Sequence, residues 1–260
     1  MSTRRHAATP LAAYVLHRWD WSESSLIVEV FTREQGRVVV AAKGAKRPTS
    51  QLRALLLPFQ RITVTLSRAP ADEAAEVHSL RGAEWAGGAP MLAGAALFRG
   101  FYANELLMKL LARQDPHPDL FDAYAGTLPA LAGDDESAAD ALRAFELLLL
   151  RDTGVLPEMS TVTLTAQPVL DDGRYVLRPE AGVIALAGSG PALSGAVLCK
   201  IETALLSRDL PALRAACRGA ATPLRNQLRE CLDYHLGHTA LRTRQVMVEV
   251  RRLSESSVRR

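Results

Sequence analysis

The chain has 260 residues, of which 48% are hydrophobic and 23% charged, and this composition supports globular units with real cores. No stretch approaches the roughly 18 unbroken apolar residues of a membrane span, and we expect no secretory signal, because the N-terminus has no sustained apolar segment. The three cysteines are an odd number and widely spaced, which excludes a disulfide framework and favours a reducing cytosol.

The net charge of +3 is divided unevenly along the chain. Residues 1–82 carry a net +5, residues 83–160 a net −7 and residues 161–260 a net +5. Two basic segments on either side of an acidic middle indicate separate structural units and a polyanionic partner.

Roughly the first 80 residues predict a β-domain, because short β-branched runs alternate with turn residues. Turn chemistry at residues 34–36 predicts a hairpin between the second and third runs. Short strands with one longer connection, 44–60, predict a small closed barrel, with a fragment of a β-sandwich as the alternative. The predicted strands are Ala13–Arg18, Ser24–Thr32, Arg37–Ala42, Arg61–Ser67 and Ala75–Arg81.

The middle of the chain predicts helices. Met91–Arg113 has a long helical pattern, and Asn104 in its apolar sector is expected to bond a neighbouring helix. Pro118–Leu131 predicts a second helix. A third is expected over Ser137–Asp152, with Ser137 as its N-cap and Gly154 at its end.

The last hundred residues begin with β-like sequence and then return to helical patterns. Thr161–Leu186 predicts a small ribbon that is too short to be a domain, and helices resume at Leu193. We therefore expect a barrel domain over residues 1–84 and a helical domain over residues 85–260, with a β insert at about 157–188.

A basic cluster follows the third predicted strand. From Arg33 to Arg68, eight basic residues accompany one acidic residue, and small residues such as Gly44 lie among them. Cations can track phosphates, and small residues allow close backbone approach, so the cluster predicts polyanion binding. A solvated loop kept basic for solubility is the alternative. The basic residues of the predicted barrel and its loop are Arg37, Lys43, Lys46, Arg47, Arg53, Arg61 and Arg68.

Aromatic residues near this cluster could stack on nucleic-acid bases, although most are expected to fill the core. They are Trp19, Trp21, Phe31 and Phe59.

The third predicted helix carries a second candidate surface. Arg143, Leu147 and Leu150 fall on the side opposite its main apolar face, with Arg151 close by. Leucines beside arginines could dock an acidic peptide with an apolar end. Packing against a further helix explains the pattern equally well.

No motif in the sequence predicts catalysis, so we favour a binding protein without a cofactor. Cys231, His235 and His238 lie within eight residues and could meet on one helix face. Zinc accepts these ligand types, but a structural site needs a fourth ligand, and no clear candidate is present. A metal-dependent enzyme that uses these three residues remains an alternative, and so does a barrel protein whose basic loop contacts another protein.

Several longer segments, in order along nearly the whole chain, carry a resemblance to one protein family. They begin with YVLHRWDWSESSLIVEVFTREQGRVVVAAKGAKR and continue through LLLPFQ, YANELL, LFDAYAGTLPAL, ALRAFELLLLRDTG and LGHTALRTRQ. Together these segments resemble the RecO family of bacterial recombination mediators in DNA repair.

The resemblance implies an α+β multidomain protein, with an N-terminal OB-fold β-barrel followed by an all-α domain that carries a small β-ribbon insert. It also implies a cytoplasmic, nucleoid-associated protein that binds single-stranded and double-stranded DNA and anneals complementary strands without enzymatic activity. The implied protein partners are RecR and the C-terminal tail of the single-stranded-DNA-binding protein (SSB), in loading RecA onto DNA. Some members bind zinc through Cys-x-x-Cys pairs in the insert, but residues 154–186 contain no Cys or His, so those ligands are absent here.

The resemblance also implies site residues. The family pattern G-R-V…A-K-G-A-R falls on Arg37, Lys43, Lys46 and Arg47, and the basic loop adds Arg53 as a DNA-binding candidate. For the acidic SSB tail, the implied site is the helix with Arg143, together with Leu147 and Leu150. Four C-terminal arginines are further DNA-binding candidates: Arg242, Arg244, Arg251 and Arg252.

Overall fold

The computed structural model describes residues 9–67, 77–87, 91–237 and 239–258, and these divide into two compact units. The first unit contains the described residues up to Met91 together with Leu111–Asp122. The second contains Leu92–Leu110 and the chain from Ala123 onward. The first unit therefore includes a segment that the sequence analysis assigned to the helical domain.

A closed five-stranded barrel forms the first unit, which confirms the predicted OB-like fold and excludes the sandwich alternative. The strands follow the order β1-β2-β3-β5-β4, with β3 and β5 parallel and the other pairs antiparallel. They span Leu11–Asp20 (β1), Leu26–Thr32 (β2), Gly36–Ala42 (β3), Arg61–Leu66 (β4) and Val77–Trp85 (β5), and a short helix, Leu52–Leu55 (α1), lies between β3 and β4.

Alternate β-branched residues fill the barrel, because successive side chains of a strand point to opposite faces. Val28 and Val40, which pair across β2 and β3, are fully buried in this core. Ala45 in the loop after β3 and Leu56 after α1 join the same core. The long β3–β4 connection therefore packs against the barrel core near both of its ends.

The segment Leu111–Asp122 covers part of the outside of the barrel. The Phe121 ring packs against Tyr14 of β1 and Phe31 of β2, with ring centroids 5.2 and 5.5 Å apart. At the β2–β3 turn, Gly36 has a φ of +65°, and a Cβ there would lie 1.9 Å from the Asp115 carbonyl oxygen. Only glycine fits this turn, because both the backbone conformation and the close approach exclude a side chain.

Helices make up most of the second unit, as predicted. They are Gly94–Leu110 (α2), Pro118–Leu131 (α3, whose first residues lie in the first unit), Asp135–Asp152 (α4), Gly195–Leu206 (α5), Leu210–Arg218 (α6), Ala221–His235 (α7) and Arg242–Val258 (α8). The insert between α4 and α5 consists of short strands at Thr161–Val162 (β6), Gln167–Pro168 (β7), Arg174–Arg178 (β8), Gly182–Ala185 (β9) and Leu193–Ser194 (β10). None of the helices in the described ranges has the length and apolar character needed to cross a bilayer.

The start of α4 differs from the prediction. Asp134, rather than Ser137, is the N-cap: its backbone is extended, and its carboxylate accepts a hydrogen bond from the Ser137 backbone N–H at 2.8 Å. A carboxylate at this position also interacts favourably with the helix dipole, and this bond lowers the pKa of Asp134. Gly154, with a φ of +74°, follows the end of the helix as predicted.

Candidate nucleic-acid interface

The loop after β3 lies on the turn between β1 and β2. The Lys46 backbone N–H donates to the Ser24 carbonyl at 3.0 Å, and the Lys46 ammonium donates to the Ser22 carbonyl at 2.7 Å. The same ammonium lies 3.3 Å from the Asp20 carboxylate. Lys46 therefore anchors the loop, and its charge is partly engaged within the protein.

Two consecutive turns fold the rest of this loop. The Arg47 N–H donates to the Gly44 carbonyl at 3.1 Å, and the Ser50 N–H donates to the Arg47 carbonyl at 2.9 Å. Gly44 has a φ of +74°, which favours glycine, and the Arg47 side chain lies 3.6 Å from the position of a Gly44 Cβ. The loop is thus compact, with Arg47 lying across the glycine.

Three of the predicted DNA-binding cations lie on the surface of this loop or of α1. Lys43, Arg47 and Arg53 are exposed, and none of them forms a salt bridge with another residue in the described parts of the chain. Cations in this state can pair with phosphate oxygens without first breaking a protein contact.

Arg37 does not belong to this surface, because it is only 8% exposed. Its guanidinium pairs with the Glu29 carboxylate and donates to the Leu111 carbonyl oxygen from Nη2 at 2.7 Å. Arg37 pairs across the hairpin with Phe31, on the outer face that Leu111–Asp122 covers. This buried position does not support the predicted DNA contact, and Arg37 has a structural role in the barrel unit.

A groove that the sequence analysis did not identify opens beside the anchored loop. Its lining includes Trp19 and three basic residues, of which Arg18 was not predicted. Two acidic side chains and one leucine complete its lining. The residues are Arg18, Trp19, Asp20, Glu23, Leu26, Lys46 and Arg53.

A β-bulge in β1 determines how Trp19 is presented. Before the bulge, Val15 pairs with Val30 and points into the barrel; after it, His17 pairs with Glu29. The extra residue shifts the alternation, since without it the interior pattern of β1 would continue to Trp19. Trp19 instead pairs with the half-exposed Ile27 and is itself 42% exposed.

The other aromatic candidates separate into surface and core. Trp21 is 56% exposed, whereas Phe31 and Phe59 are buried and belong to the packing of the unit. Trp85 at the end of β5, which was not predicted, is 66% exposed. All three tryptophans of the chain are therefore surface residues of the barrel unit.

The second predicted surface, on α4, is not formed by the residues proposed for it. Leu147 and Leu150 are at most 1% exposed, and the Arg143 guanidinium lies 2.8 Å from the carboxylate of the buried Glu146. The helical pattern misled because α4 packs against α2, α6 and α7 and so buries more than one face. These leucines are unavailable to an incoming peptide.

The neighbouring arginines also have structural partners. Arg151 donates to the Glu202 carboxylate at 2.6 Å. Arg244 donates to Asp233 at 2.6 Å and to the Tyr102 hydroxyl at 3.1 Å. Of the other C-terminal candidates, Arg242 and Arg252 are exposed, and the side chain of Arg251 lies outside the described residues.

The alternative metal site gains no support from the described residues, which contain no group of three or more ligand side chains that could hold a metal. His238 lies outside the described ranges. Cys231 is buried, and this burial raises the pKa of its thiol to about 12. The protonated thiol that results is a poor metal ligand at neutral pH.

Comparisons with known proteins agree with this architecture. The model of the family "Recombination protein O N terminal" matches residues 9–87, and "Recombination protein O C terminal" matches residues 92–245. DNA repair protein RecO of Variovorax paradoxus (strain S110) is 49% identical, in an alignment that covers 95% of this chain and 98% of the relative. DNA repair protein RecO of Acidovorax ebreus (strain TPSY) is 47% identical, with 97% and 100% covered. The chain belongs to the RecO family of DNA repair proteins.

Proposed function

We propose that the chain binds DNA through the exposed cations of the loop after β3 and of α1, and that it is a non-enzymatic mediator of strand annealing. The observation that carries this proposal is the exposure of Lys43 and Arg47 on a compact loop, which Lys46 anchors to the barrel, and of Arg53 on α1. Because the loop is already folded, little conformational entropy is lost when phosphates bind.

Annealing would follow from charge neutralisation. Two DNA strands repel each other through their phosphates, and cations that pair with those phosphates release counterions and lower the repulsion. Arg242 and Arg252, which are exposed on α8, are candidates for a second set of phosphate contacts. Two cationic surfaces on one protein would allow two strands to be held at the same time.

The proposed protein partners are RecR and the C-terminal tail of SSB, in a role that promotes RecA loading, and the family resemblance supports them. Leu147 and Leu150 of α4 are buried, so we propose the partner without assigning these leucines to its site. Titrating a labelled peptide of the SSB tail against the full chain tests this directly. A peptide that fails to bind would contradict this part of the proposal.

Binding of labelled oligonucleotides over a range of salt concentrations tests the proposed DNA-binding function. Affinity for single-stranded and double-stranded oligonucleotides should fall linearly on a log–log plot as salt rises, because each phosphate contact releases counterions. The same protein should accelerate pairing of complementary strands without nucleotide hydrolysis. A chain that contacts only another protein through its basic loop would bind neither oligonucleotide in a salt-dependent way.

A further inference from the structure

Helix α8 carries an apolar strip on its surface, formed by Val246 and Val250. These valines are four residues apart and therefore lie on the same side of the helix, at 43% and 39% exposure. Two exposed charges accompany the strip, because Arg242 lies four residues before Val246 and Glu249 three residues after it. Val248 is exposed as well, but it lies roughly 200° around the helix from Val246.

A groove of about 650 Å³ lies in the same unit, between α5 and α6. Much of its lining consists of alanine, and the exposed Ala212 and Ala215 leave the groove open to solvent. Small side chains allow the axis of another helix to come close, since the distance between packed helices depends on the side chains at the contact. The alanines of the α5–α6 groove are Ala196, Ala204, Ala212, Ala215 and Ala216.

The charges of the α5–α6 groove alternate along its length. Asp171 lies at the start of α5, where its backbone carbonyl accepts a hydrogen bond from the Ala196 N–H at 3.1 Å. The exposed Lys200 lies near the middle of α5. Asp209 follows the end of α5 and caps α6, because its carboxylate accepts from the Ala212 N–H at 2.9 Å. The groove is therefore negative at both ends and positive in the middle.

The charges on α8 match this order and its spacing. Arg242 and Glu249 are seven residues apart, which is about 10 Å along a helix axis. Lys200 is likewise seven residues from Ser207, at the end of α5 that Asp209 follows. A helix α8 that runs antiparallel to α5 therefore brings Glu249 to Lys200. In the same arrangement Arg242 lies at the Asp209 end.

We infer that the apolar strip of α8 docks in the α5–α6 groove of a second copy of this chain. In one chain both the strip and the groove are open to solvent, and Glu105 of α2 holds the first turn of α8, so α8 does not fill its own groove. The valines pack on the alanines, and Glu249 pairs with Lys200 of the other copy. This self-association goes beyond the proposed function and does not depend on it.

Sedimentation of the full chain over a range of protein concentrations provides the first test. DNA is left out, because Arg242 is also a candidate phosphate contact. The mass of the wild-type protein should rise with concentration, and Val246→Glu should abolish this rise by placing a charge among the alanines. Val248→Glu is the matched control on the other side of α8 and should associate as the wild type does. A wild-type protein that stays monomeric at every concentration would overturn the inference.

Exchange of the two central charges provides the second test. Glu249→Lys should weaken association by about five-fold or more, because it places two cations opposite each other. Lys200→Glu should weaken it similarly, for the opposite reason. The double variant Glu249→Lys/Lys200→Glu restores the attraction and should recover most of the association. A double variant as weak as either single variant would show that these two residues do not meet.

A mixture of two variants provides the sharpest test, because the proposed contact joins two different surfaces. Val246→Glu damages only the strip, and Ala215→Arg fills only the groove. Both positions are exposed, so both proteins should fold, which thermal unfolding checks. Each variant alone should be monomeric, but their mixture should form a one-to-one complex.

The result expected of the mixture follows from the surfaces that remain. The groove of the Val246→Glu protein is intact, and so is the strip of the Ala215→Arg protein. If the wild type associates but the mixture does not, or if neither variant alters association, the strip does not dock in the groove. Oligonucleotide binding by the wild type is measured separately, so failure of this inference leaves the proposed function standing.

Discussion

Arg37 and Glu29 form a buried ion pair on the outer face of the barrel, and Arg37 also donates to the carbonyl oxygen of Leu111. The two side chains are 9% and 3% exposed. Arg113 lies nearby, with its Nε 3.9 Å from the Glu29 carboxylate. The pair thus joins the β2–β3 hairpin to the segment that covers it.

Arg37→Ala should destabilise the barrel unit by about 3–5 kcal/mol, because it leaves the Glu29 carboxylate buried with a weaker partner and deprives the Leu111 carbonyl of its donor. Chemical denaturation measures this change. The matched control is Arg47→Ala, which removes an exposed arginine from the loop and should leave stability within about 0.5 kcal/mol. If the Arg37→Ala protein were as stable as the wild type and its DNA binding depended less on salt, Arg37 would contact DNA as the sequence predicts.

Lys46 should determine whether the basic loop stays in place. Lys46→Met keeps the aliphatic part of the side chain but removes the ammonium that bonds Ser22 and approaches Asp20. We expect faster amide hydrogen exchange in residues 43–50, since the loop loses one of its attachments to the β1–β2 turn. Lys43→Met is the control, because Lys43 is exposed and its removal should leave this exchange unchanged. Identical exchange in the two variants would show that Lys46 is not an anchor.

Glu105 of α2 caps the N-terminus of α8. Its carboxylate accepts hydrogen bonds from the backbone N–H groups of Arg242 and Thr243 at 2.9 and 3.0 Å, and from the Thr243 hydroxyl at 2.6 Å. Glu105→Ala should cost about 1–2 kcal/mol, because it removes both a cap and a favourable charge at the positive end of the helix dipole. Thermal unfolding together with hydrogen exchange of α8 checks this. Unchanged protection of α8 would contradict the capping role.

Glu146 should make stability depend on pH. It is fully buried, and burial raises its pKa above the ordinary value of 4.5, although Arg143 and the Tyr102 hydroxyl oppose this shift. A carboxyl group whose pKa is higher in the folded state contributes most stability at low pH, and it loses that contribution as pH rises from 4.5 through the folded pKa.

The Glu146→Gln variant isolates this effect, since the amide does not ionise and can still accept from Tyr102. The free energy of unfolding of the wild-type protein, relative to that of the variant, should fall as the pH is raised above 4.5. Urea denaturation of both proteins across this range gives the difference, in which the titration of other groups cancels. Parallel curves would show that Glu146 has the same pKa in the folded and unfolded states.

Local patterns in the sequence predicted much of the fold. The strands of the barrel follow from period-2 alternation of β-branched residues, and α4 follows from its 3.6-residue period. The end of α4 was also predictable, because Gly154 is a local signal of helix termination.

The errors concern which surfaces other parts of the chain cover. Arg37 looked like a free cation because residues 111–122, which bury it, are more than 70 positions away. Leu147 and Leu150 looked exposed because a helical wheel does not reveal how many helices surround α4. The bulge that turns Trp19 outward leaves no sign in the apolar pattern, so the exposure of Trp19 could only be found in the folded chain.

The salt dependence of DNA binding tests the central claim most directly. The Lys43→Ala/Arg47→Ala/Arg53→Ala variant removes the exposed cations proposed to contact phosphates, and none of these residues is buried. Because the slope of log K against log salt is about −0.9 for each neutralised phosphate of duplex DNA, the slope should become less negative by roughly three such units. A triple variant with the wild-type slope and affinity would contradict the account.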